Sequence, residues 1–381
     1  MRPLDGHLVL DFSTLVPGPI ATLFLAEAGA EVVKIERREG GDDMRHYAPQ
    51  WGSDSVNFAL LNRGKKSVAL NLKDPKDREK LYPLIQRADV LVEQFRPGVM
   101  DRLGLGYLEV RELNPKLIYC SITGYGQDGP KRVAAGHDLN YLGDTGLLAL
   151  SMGDPTRPVV PPALIGDIAG GSYPAVINIL LALEARRKTG LGCHLDIAMA
   201  DNLFTFMYWA LGNGLGAGQW PGNGTDLATG GSPRYRLYGT RDAKVLAAAP
   251  MEQKFWDVFC DIIGLEHQYR DDSRDAAATI KHVSEIIKSE DADAWSSRFS
   301  GVDCCCSIVV DVKTALEDPH FVSRGLFDYR VANRDAAVIT ALPIPLDRSF
   351  RGPAAEKSMA PLLGEHNTLL ADLAPDGPSK P

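Results

Sequence analysis

The chain has 381 residues and a mass of 41.4 kDa, with 45% hydrophobic and 24% charged residues, which is the composition of a globular protein too long for one compact core. We therefore expect two domains. The formal net charge of −8 and the pI of about 5.5 argue against general nucleic-acid binding, which needs a net basic face, but they allow a local basic pocket for a phosphorylated small molecule.

The first forty residues follow a strand–helix–strand pattern. A strand is predicted over 7–13 ("HLVLDFS"), a helix over 20–29 and a second strand over 30–37 ("AEVVKIER"). Such a unit binds dinucleotides when its first turn has the spacing G-x-G-x-x-G, whose glycines let the backbone approach the pyrophosphate. The turn here reads "PGP" at 17–19 instead. This turn argues against a nicotinamide cofactor, although Glu36 stands where such folds hold a ribose.

The alternation of strands and helices continues downstream. Three more strands are predicted, at 67–72, 89–95 and 117–126, with a helical stretch over 75–88. This order predicts a parallel, doubly wound α/β sheet. Active sites of such sheets lie beyond the carboxyl ends of the strands. The segments "GYGQDGP" (124–130) and "AAGHDLNY" (134–141) follow the last of these strands, so we expect the functional site there.

Two residues in this part of the chain are candidates for acid–base chemistry. His137 lies between a glycine and an acid in a loop-like stretch, and taken alone it would be expected to cap a turn or to hydrogen-bond in a core. Asp167 precedes apolar residues at helical spacing, in a helix that ends at Gly190 after a basic last turn. Taken alone, Asp167 would be expected to cap that helix.

The second half of the chain changes character at a glycine-rich segment. Residues 212–233 predict a linker or loop. Short strands and charged helices over 234–325 predict a second, smaller α/β domain, so 1–211 and 326–381 would form the large domain. The final residues "APDGPSKP" (374–381) are expected to be disordered.

The six cysteines show neither disulfide nor metal-ligand spacing. Three of them are adjacent, at 304–306, and on an extended chain they would alternate between faces. We therefore predict reduced thiols, no metal site and a cytoplasmic location. The opening "MRPLDGHLVLDF" lacks the apolar core of a signal peptide, and the longest apolar run, 175–183, is too short to span a membrane, so no membrane partner is expected.

Taken together, these stretches resemble the family III coenzyme A transferases (the CaiB/BaiF superfamily), and within them the α-methylacyl-CoA racemase branch. An ordered set of motifs carries the resemblance: "LDGHLVLDFSTLVPGP", "GAEVVKIER", "NRGKKSVALNLK", "RPGVMDRLGLG", "LIYCSITGYGQDGP", "AGHDLNY", "GDIAGGS" and "DPHFVSRGLF". The resemblance implies a Rossmann-like large domain built from both chain ends, a small domain, and a homodimer of two interlocked chains. It also implies an acyl-CoA thioester as substrate, with no prosthetic group and no nucleic-acid partner.

In the racemase branch, the histidine of "AGHD" and the aspartate of "GD" form the acid–base pair, and they match His137 and Asp167. The resemblance thus implies epimerisation of 2-methylacyl-CoA thioesters through an enolate. Two groups on opposite faces suit this reaction, because an imidazole and a carboxylic acid can each be protonated or deprotonated near pH 7. Glu252 matches an acid of the racemase small domain that reaches the partner's active site. Taken alone, it would be an exposed carboxylate at a helix start.

The resemblance also implies the residues that bind coenzyme A. Guanidinium groups suit phosphates, although each basic residue taken alone would be a solvated surface charge. The implied contacts are Arg37, Leu70, Asn71, Leu72, Lys73, Gln94, Phe95, Arg96 and Arg102, with Gly136, Asp138, Leu139, Asn140 and Tyr141 at the thioester end.

The start of the helix after Asp167 is expected to serve the thioester. Backbone N–H groups around Ile168 and Ala169 are predicted to hold the enolate oxygen, with the helix dipole adding its sign. Gly170 and Gly171 are expected to leave room for the thioester.

The transferase branch is the alternative. There the matching aspartate is a nucleophile that forms a mixed anhydride and then an aspartyl-CoA thioester, so Asp167 fits both reactions. His137 favours the racemase, because transferases usually lack a histidine at this position. Two features depart from the racemase pattern: "CSI" at 306–308 replaces a Thr-Pro pair, and "PLLGEHN" (361–367) is an ending common among transferases. A non-catalytic CoA-binding homologue is a third possibility, disfavoured because both acid–base candidates are present.

Overall fold

The computed structural model describes residues 2–151, 159–354 and 357–370, and of Asp54 only the backbone. The chain divides into two compact units. The first comprises Met1–Leu142, Leu164–Leu203 and Pro319–Pro381, and the second comprises Gly143–Ala163 and Phe204–Asp318. The first unit thus contains both chain ends. Residues 143–163, which the sequence pattern assigned to the large domain, lie with the second unit. The tail predicted to be disordered, 374–381, lies outside the described residues.

Strands and helices alternate along the chain. The strands are β1 Leu8–Asp11, β2 Glu31–Arg37, β3 Gln50–Trp51, β4 Asp54–Ser55, β5 Lys66–Leu70, β6 Val90–Glu93, β7 Ile118–Thr123, β8 His194–Ala198, β9 Arg236–Gly239, β10 Val245–Ala248, β11 Cys306–Ile308, β12 Arg330–Ala332, β13 Val338–Thr340 and β14 Lys357–Ser358. The α-helices are α1 Pro17–Glu27, α2 Val56–Asn62, α3 Pro75–Glu79, α4 Tyr82–Arg87, α5 Val99–Arg102, α6 Tyr107–Leu113, α7 Asp138–Asp144, α8 Tyr173–Thr189, α9 Met199–Leu203, α10 Tyr208–Ala217, α11 Gln253–Ile263, α12 Ala276–Ile287, α13 Ala292–Phe299, α14 Val312–Leu316 and α15 Pro319–Ser323.

The first unit is built on a six-stranded parallel sheet in the order β5-β2-β1-β6-β7-β8. The predicted doubly wound α/β sheet is confirmed. Strands β2 and β5 lie on one side of β1, and β6, β7 and β8 lie on the other, so the strand order reverses between β1 and β6. Strand β8 was not predicted, because its exposed His194 and Asp196 interrupt the apolar pattern of this edge strand.

Helices cover the sheet, and two of their boundaries differ from the predicted ones. The helix predicted over 75–88 is two helices, α3 and α4, and Pro83, which lacks an N–H, lies in the first turn of α4. Helix α1 begins at Pro17, three residues before the predicted start, because prolines are tolerated in a first turn. The core beside the sheet contains Leu10, Val33, Leu91 and Tyr119 with residues of α4 and α6.

Residues Gly166–Ser172 form a π-helical turn that continues directly into α8. The combined helix, Gly166–Thr189, is long and apolar enough to cross a membrane by length and composition, which the nine-residue apolar run did not predict. This is weak evidence for a membrane span, because the core helix of a soluble protein passes the same test. Ala175 and Ile179 are fully buried in the first unit, whereas Ile177 and Leu181 on the same helix are 57% and 63% exposed.

The second unit contains a three-stranded antiparallel sheet, β11-β10-β9. Its core is formed with α11, α12 and α13 and includes Trp256, Phe259 and Trp295. Helix α10 extends into the segment predicted as a linker. The cysteine run is not extended throughout, because Cys305 has a φ of +54° and only Cys306 lies on a strand.

Candidate active site

A cavity of about 400 Å³ lies at the carboxyl ends of β1, β6, β7 and β8. This is where the strand order places a site, next to the reversal between β1 and β6. Its lining residues are Leu15, Pro17, Gln94, Phe95, Arg96, Pro97, Ile122, Thr123, Gly124, Tyr125, Arg132, Ala134, Ala135, Gly136, His137, Asn140, Tyr141, Asp167 and Met199. The structure therefore brings His137 and Asp167 together with Gln94, Phe95 and Arg96, residues that lie far apart in the sequence.

Asp167 is the partly buried acid of this cavity. The pKa of its carboxyl is raised to about 6, first by burial and then by the negative charge of Asp138, while His137 acts in the opposite direction. A carboxyl with a pKa of about 6 exchanges its proton near neutral pH, which is the property that general acid–base catalysis requires. His137 lies on the exposed rim of the cavity.

The local structure around Asp167 differs from the predicted helix start in one respect. Asp167 does not cap α8, because the π-turn begins before it at Gly166 and its own N–H is bonded to a side-chain oxygen of Asp138 at 3.0 Å. The N–H of Ile168 donates to Leu164 O at 3.0 Å. The prediction that Ile168 holds an enolate oxygen is therefore wrong, since this donor is already used within the helix.

The glycines after Asp167 serve packing rather than substrate access. A Cβ on Gly170 would lie 2.5 Å from Met199 O, and one on Gly171 would lie 3.0 Å from the Met199 side chain and 3.1 Å from Pro17. Both glycines are buried. They let the π-turn approach α9 and the start of α1 closely, so the expectation that they leave room for a thioester is wrong.

Helix α7 holds the backbone on which the two acid–base candidates sit. Asn140 Oδ1 accepts the N–H of His137 at 3.0 Å, and Tyr141 Oη donates to Gly136 O at 2.6 Å. The Tyr141 ring also packs edge-on against Tyr125, with 5.3 Å between ring centroids. Asp138 is buried and bonded to the protein outside the cavity lining, although the sequence placed it among the thioester contacts. Tyr141, predicted with it, is also largely buried but lines the cavity.

The other predicted CoA contacts lie along the sheet edge at β2 and β5, outside the cavity lining. Arg37 ends β2, pairs in register with Leu70 at the end of β5, and is followed by Asn71, Leu72 and Lys73 on the neighbouring loop. We call Arg37 and residues 70–73 the β2–β5 edge. The Arg37 guanidinium donates to Gly41 O at 3.0 and 3.1 Å and pairs with Asp43, and both charged side chains are exposed.

Three further predicted residues lie away from the cavity. Arg102 is exposed at the end of α5, and Leu139 is 45% exposed on α7. Glu252 is exposed at the start of α11 in the second unit. Its contribution to a partner chain's site stays a prediction.

Sequence reasoning missed several residues of the cavity wall. Arg132 lies five residues before His137 in a loop, and Leu15 follows β1 in a left-handed conformation with a φ of +62°. The Leu15 N–H is held by Asp42 Oδ1 at 3.1 Å. A basic residue shortly before "AGHD" was the available signal for Arg132, whereas the contact of Leu15 with Asp42 joins loops that no local pattern relates.

Comparison with known proteins places these features in context. A model of CoA-transferase family III matches residues 4–367. The chain is 32% identical over 380 residues to succinyl-CoA:glutarate CoA-transferase of Homo sapiens, covering 97% of this chain and 85% of that protein. It is 32% identical over 371 residues to α-methylacyl-CoA racemase of Mus musculus, covering 95% and 91%. The crystal structure of a CAIB/BAIF family protein from Brucella suis superposes with a TM-score of 0.82 at 27% identity, covering 98% and 100%.

Proposed function

The chain belongs to CoA-transferase family III, as its motifs implied, and we propose that within this family of enzymes it epimerises 2-methylacyl-CoA thioesters. Relatives of similar identity are named as transferases and as racemases, so their names do not decide the reaction. The observation that carries the proposal is the presence of His137 and Asp167 in one cavity at the carboxyl edge of the sheet. Epimerisation by an acid–base pair uses a second group that transfers protons, and histidine can be that group. A nucleophilic carboxylate reacts without one.

The proposed reaction moves one proton off the α-carbon and another one onto it. The base on one side, either neutral His137 or ionised Asp167, takes the α-proton, and the electron pair of the C–H bond moves into the enolate. The group on the opposite side, in its protonated form, then returns a proton to the other face. The raised pKa of Asp167, about 6, lets its carboxyl act in either direction near neutral pH.

We place the CoA part of the substrate along the β2–β5 edge. Arg37 and Lys73 lie there, and Arg96, which follows β6, lines the cavity itself. Guanidinium groups bind phosphate oxygens bidentately, which suits the several phosphates of coenzyme A. A thioester bound in this way extends across β1 and β6 towards His137 and Asp167.

A CoA transferase is the second candidate, and Asp167 is the residue that favours it. A carboxylate in this cavity is placed to attack a thioester carbonyl, and a pKa of about 6 leaves most of it ionised above pH 7. The human succinyl-CoA:glutarate CoA-transferase aligns with 97% of this chain. In this alternative, His137 has no proton to move at the α-carbon.

We test the two reactions by incubating the protein in D₂O with a single enantiomer of a 2-methylacyl-CoA and no acceptor acid. Epimerisation requires that deuterium enter the α-position as the stereocentre scrambles, and Asp167→Asn and His137→Ala should each abolish the scrambling. Either variant can still exchange deuterium with retention, because the remaining base works on its own face. The absence of exchange, together with a CoA adduct on Asp167 in mass spectra, would falsify the epimerase and establish the transferase.

We also propose that the protein is a homodimer of the cytoplasm. The exposed apolar side chains Ile177, Leu180 and Leu181 of α8 support a partner surface, which we assign to a second copy of the chain. Light scattering should give about twice 41.4 kDa. An Ile177→Glu/Leu181→Glu variant should dissociate, whereas Arg111→Glu, an exposed charge on α6, should not. A wild-type monomer in solution would contradict the proposal.

A further inference from the structure

Asp138 is a buried carboxylate next to the proposed acid–base residue, yet it does not line the cavity. It is 7% exposed, and its Oδ1 accepts the backbone N–H of Asp167 at 3.0 Å across 29 residues of sequence. A Cβ on Gly166 would lie 3.1 Å from the same oxygen, so the carboxylate packs directly against the turn that carries Asp167. Asp138 therefore contacts the backbone of Asp167 and would act on it without contacting substrate.

The hydrogen bond alone does not explain why this position is an acid. A neutral asparagine would offer an amide oxygen to the same N–H without the desolvation cost of burying a charge. What the carboxylate adds is its negative charge beside a second carboxyl. Two carboxyl groups that share a site disfavour ionisation of each other.

Resting on the function proposed above, we propose that Asp138 is a positioning residue that fixes the backbone of Asp167 and, through its charge, favours the protonated form of the Asp167 carboxyl. The direction of the effect agrees with the electrostatics of the site. After burial, the charge of Asp138 is the next largest cause of the raised pKa of Asp167, and His137 acts in the opposite direction.

The other groups around Asp167 leave this role to Asp138. Helices α1 and α9 face the cavity with Pro17 and Met199, which do not titrate. The titratable and charged side chains that share the cavity with Asp167 are Arg96, Tyr125, Arg132, His137 and Tyr141. The cations among them lower the pKa of a neighbouring carboxyl, and burial raises the pKa of Tyr141 to about 12, so its phenol is uncharged near pH 7. Among these neighbours, Asp138 is thus the group whose charge raises the pKa of Asp167.

The variants for a test separate the charge from the hydrogen bond. Asp138→Asn keeps an oxygen that accepts the Asp167 N–H and removes the charge, whereas Asp138→Ala removes both. Glu184→Gln is the matched control, because it removes one exposed carboxylate near the far end of α8, roughly 25 Å along the helix from Asp167.

The first measurement does not depend on catalysis. A diazo compound that alkylates protonated carboxyl groups is applied to the whole protein over a range of pH, and labelling of the peptide that contains Asp167 is quantified by mass spectrometry. In Asp138→Asn the pH of half-maximal labelling should fall by about half to one unit, as expected for loss of one nearby like charge. In Glu184→Gln it should not move.

The second measurement is the pH profile of solvent-deuterium incorporation into 2-methylacyl-CoA. Its acidic limb should shift to lower pH in Asp138→Asn, with kcat partly retained, whereas Asp138→Ala should lose kcat at every pH. An unmoved labelling midpoint in folded Asp138→Asn, or an equal shift in Glu184→Gln, overturns the role of Asp138. If the wild-type protein exchanges no deuterium, the proposed epimerase fails, and the labelling experiment still decides whether Asp138 controls the proton of Asp167.

Discussion

On the cavity side of the site, the backbone N–H groups of His137 and Asp167 are each held by a side-chain oxygen of α7, whereas on the β2–β5 edge the Arg37 guanidinium is exposed and bonded to a nearby loop. The difference agrees with the two kinds of work that we propose for these regions, proton transfer in the cavity and phosphate binding at the edge. Proton transfer depends on positions fixed to within a fraction of an ångström, so the supporting contacts are made before substrate arrives. Phosphate binding instead requires cations whose present partners can be replaced, and exposed ion pairs are weak enough to exchange. Substitutions on the two sides should therefore affect different kinetic constants.

The largest effect is expected where the cavity side is packed most closely. In Gly170→Ala the new Cβ would lie 2.5 Å from Met199 O, so the π-turn must move. We expect unfolding experiments to show a loss of about 1–3 kcal/mol, and deuterium exchange to fall roughly 100-fold because a shift of about 1 Å misaligns Asp167. Gly143→Ala in α7 is the control, since its Cβ meets nothing within 4 Å and alanine favours a helix. Equal stability of both variants would show that the turn is not tightly packed.

A smaller effect follows from the proton on Asp167. Folding raises the pKa of its carboxyl from 3.8 to about 6, so the folded protein binds this proton more tightly than the unfolded chain does. The resulting stability is present below about pH 4 and is lost as the pH rises through 6. Asp167→Asn cannot ionise, so denaturant unfolding should find it about 1–3 kcal/mol more stable than wild type at pH 7.5, and no more stable at pH 4. A gain independent of pH would point to packing instead.

The smallest effect is expected on the β2–β5 edge. Arg37 must release Asp43 to bind a phosphate, so Arg37→Ala should weaken CoA-ester binding by about 1 kcal/mol, and Arg96→Ala, which lies on the cavity wall, by about 1–3 kcal/mol. Calorimetry measures both affinities, and in Arg37→Ala KM should rise while kcat stays near the wild-type value. Arg187→Ala on exposed α8 is the control. A fall in kcat with unchanged affinity would remove the distinction between the two sides.

Much of the fold follows from local sequence patterns. In the large sheet, β1, β2, β5, β6 and β7 have apolar runs bounded by turn residues. The alternation of strands and helices is enough to predict that these strands are parallel. Strand β8 lies at the edge, where His194 and Asp196 are exposed, and its pattern is therefore less apolar. The π-turn was not predicted, because the pattern of small and apolar residues over 166–172 is also compatible with an α-helix. The extra residue of the turn is visible only in its hydrogen bonds.

Motifs in the sequence pointed to part of the cavity lining but not to the contacts within it. The motifs identified His137 and Asp167, which the fold brings to one cavity. The roles of Asp138 and Gly170 were misassigned, because the first bonds to a residue 29 positions away and the second packs on Met199 of a later helix. Such contacts depend on tertiary structure, and motifs within a single loop carry no information about them.

The π-turn at Gly166–Ser172 has a consequence for insertions and deletions in this chain. One π-turn contains one residue more than the α-helical turn it replaces, and each residue of an α-helix adds about 100° of rotation. Removing a single residue such as Ala169 would let the helix close into regular α-helical bonding while α8 kept its place on the sheet. Asp167 would then be carried about a quarter of a turn around the helix axis, away from His137. The loss of one codon here would leave the sequence on both sides unchanged. We expect the resulting protein to fold but to lose the proposed reaction.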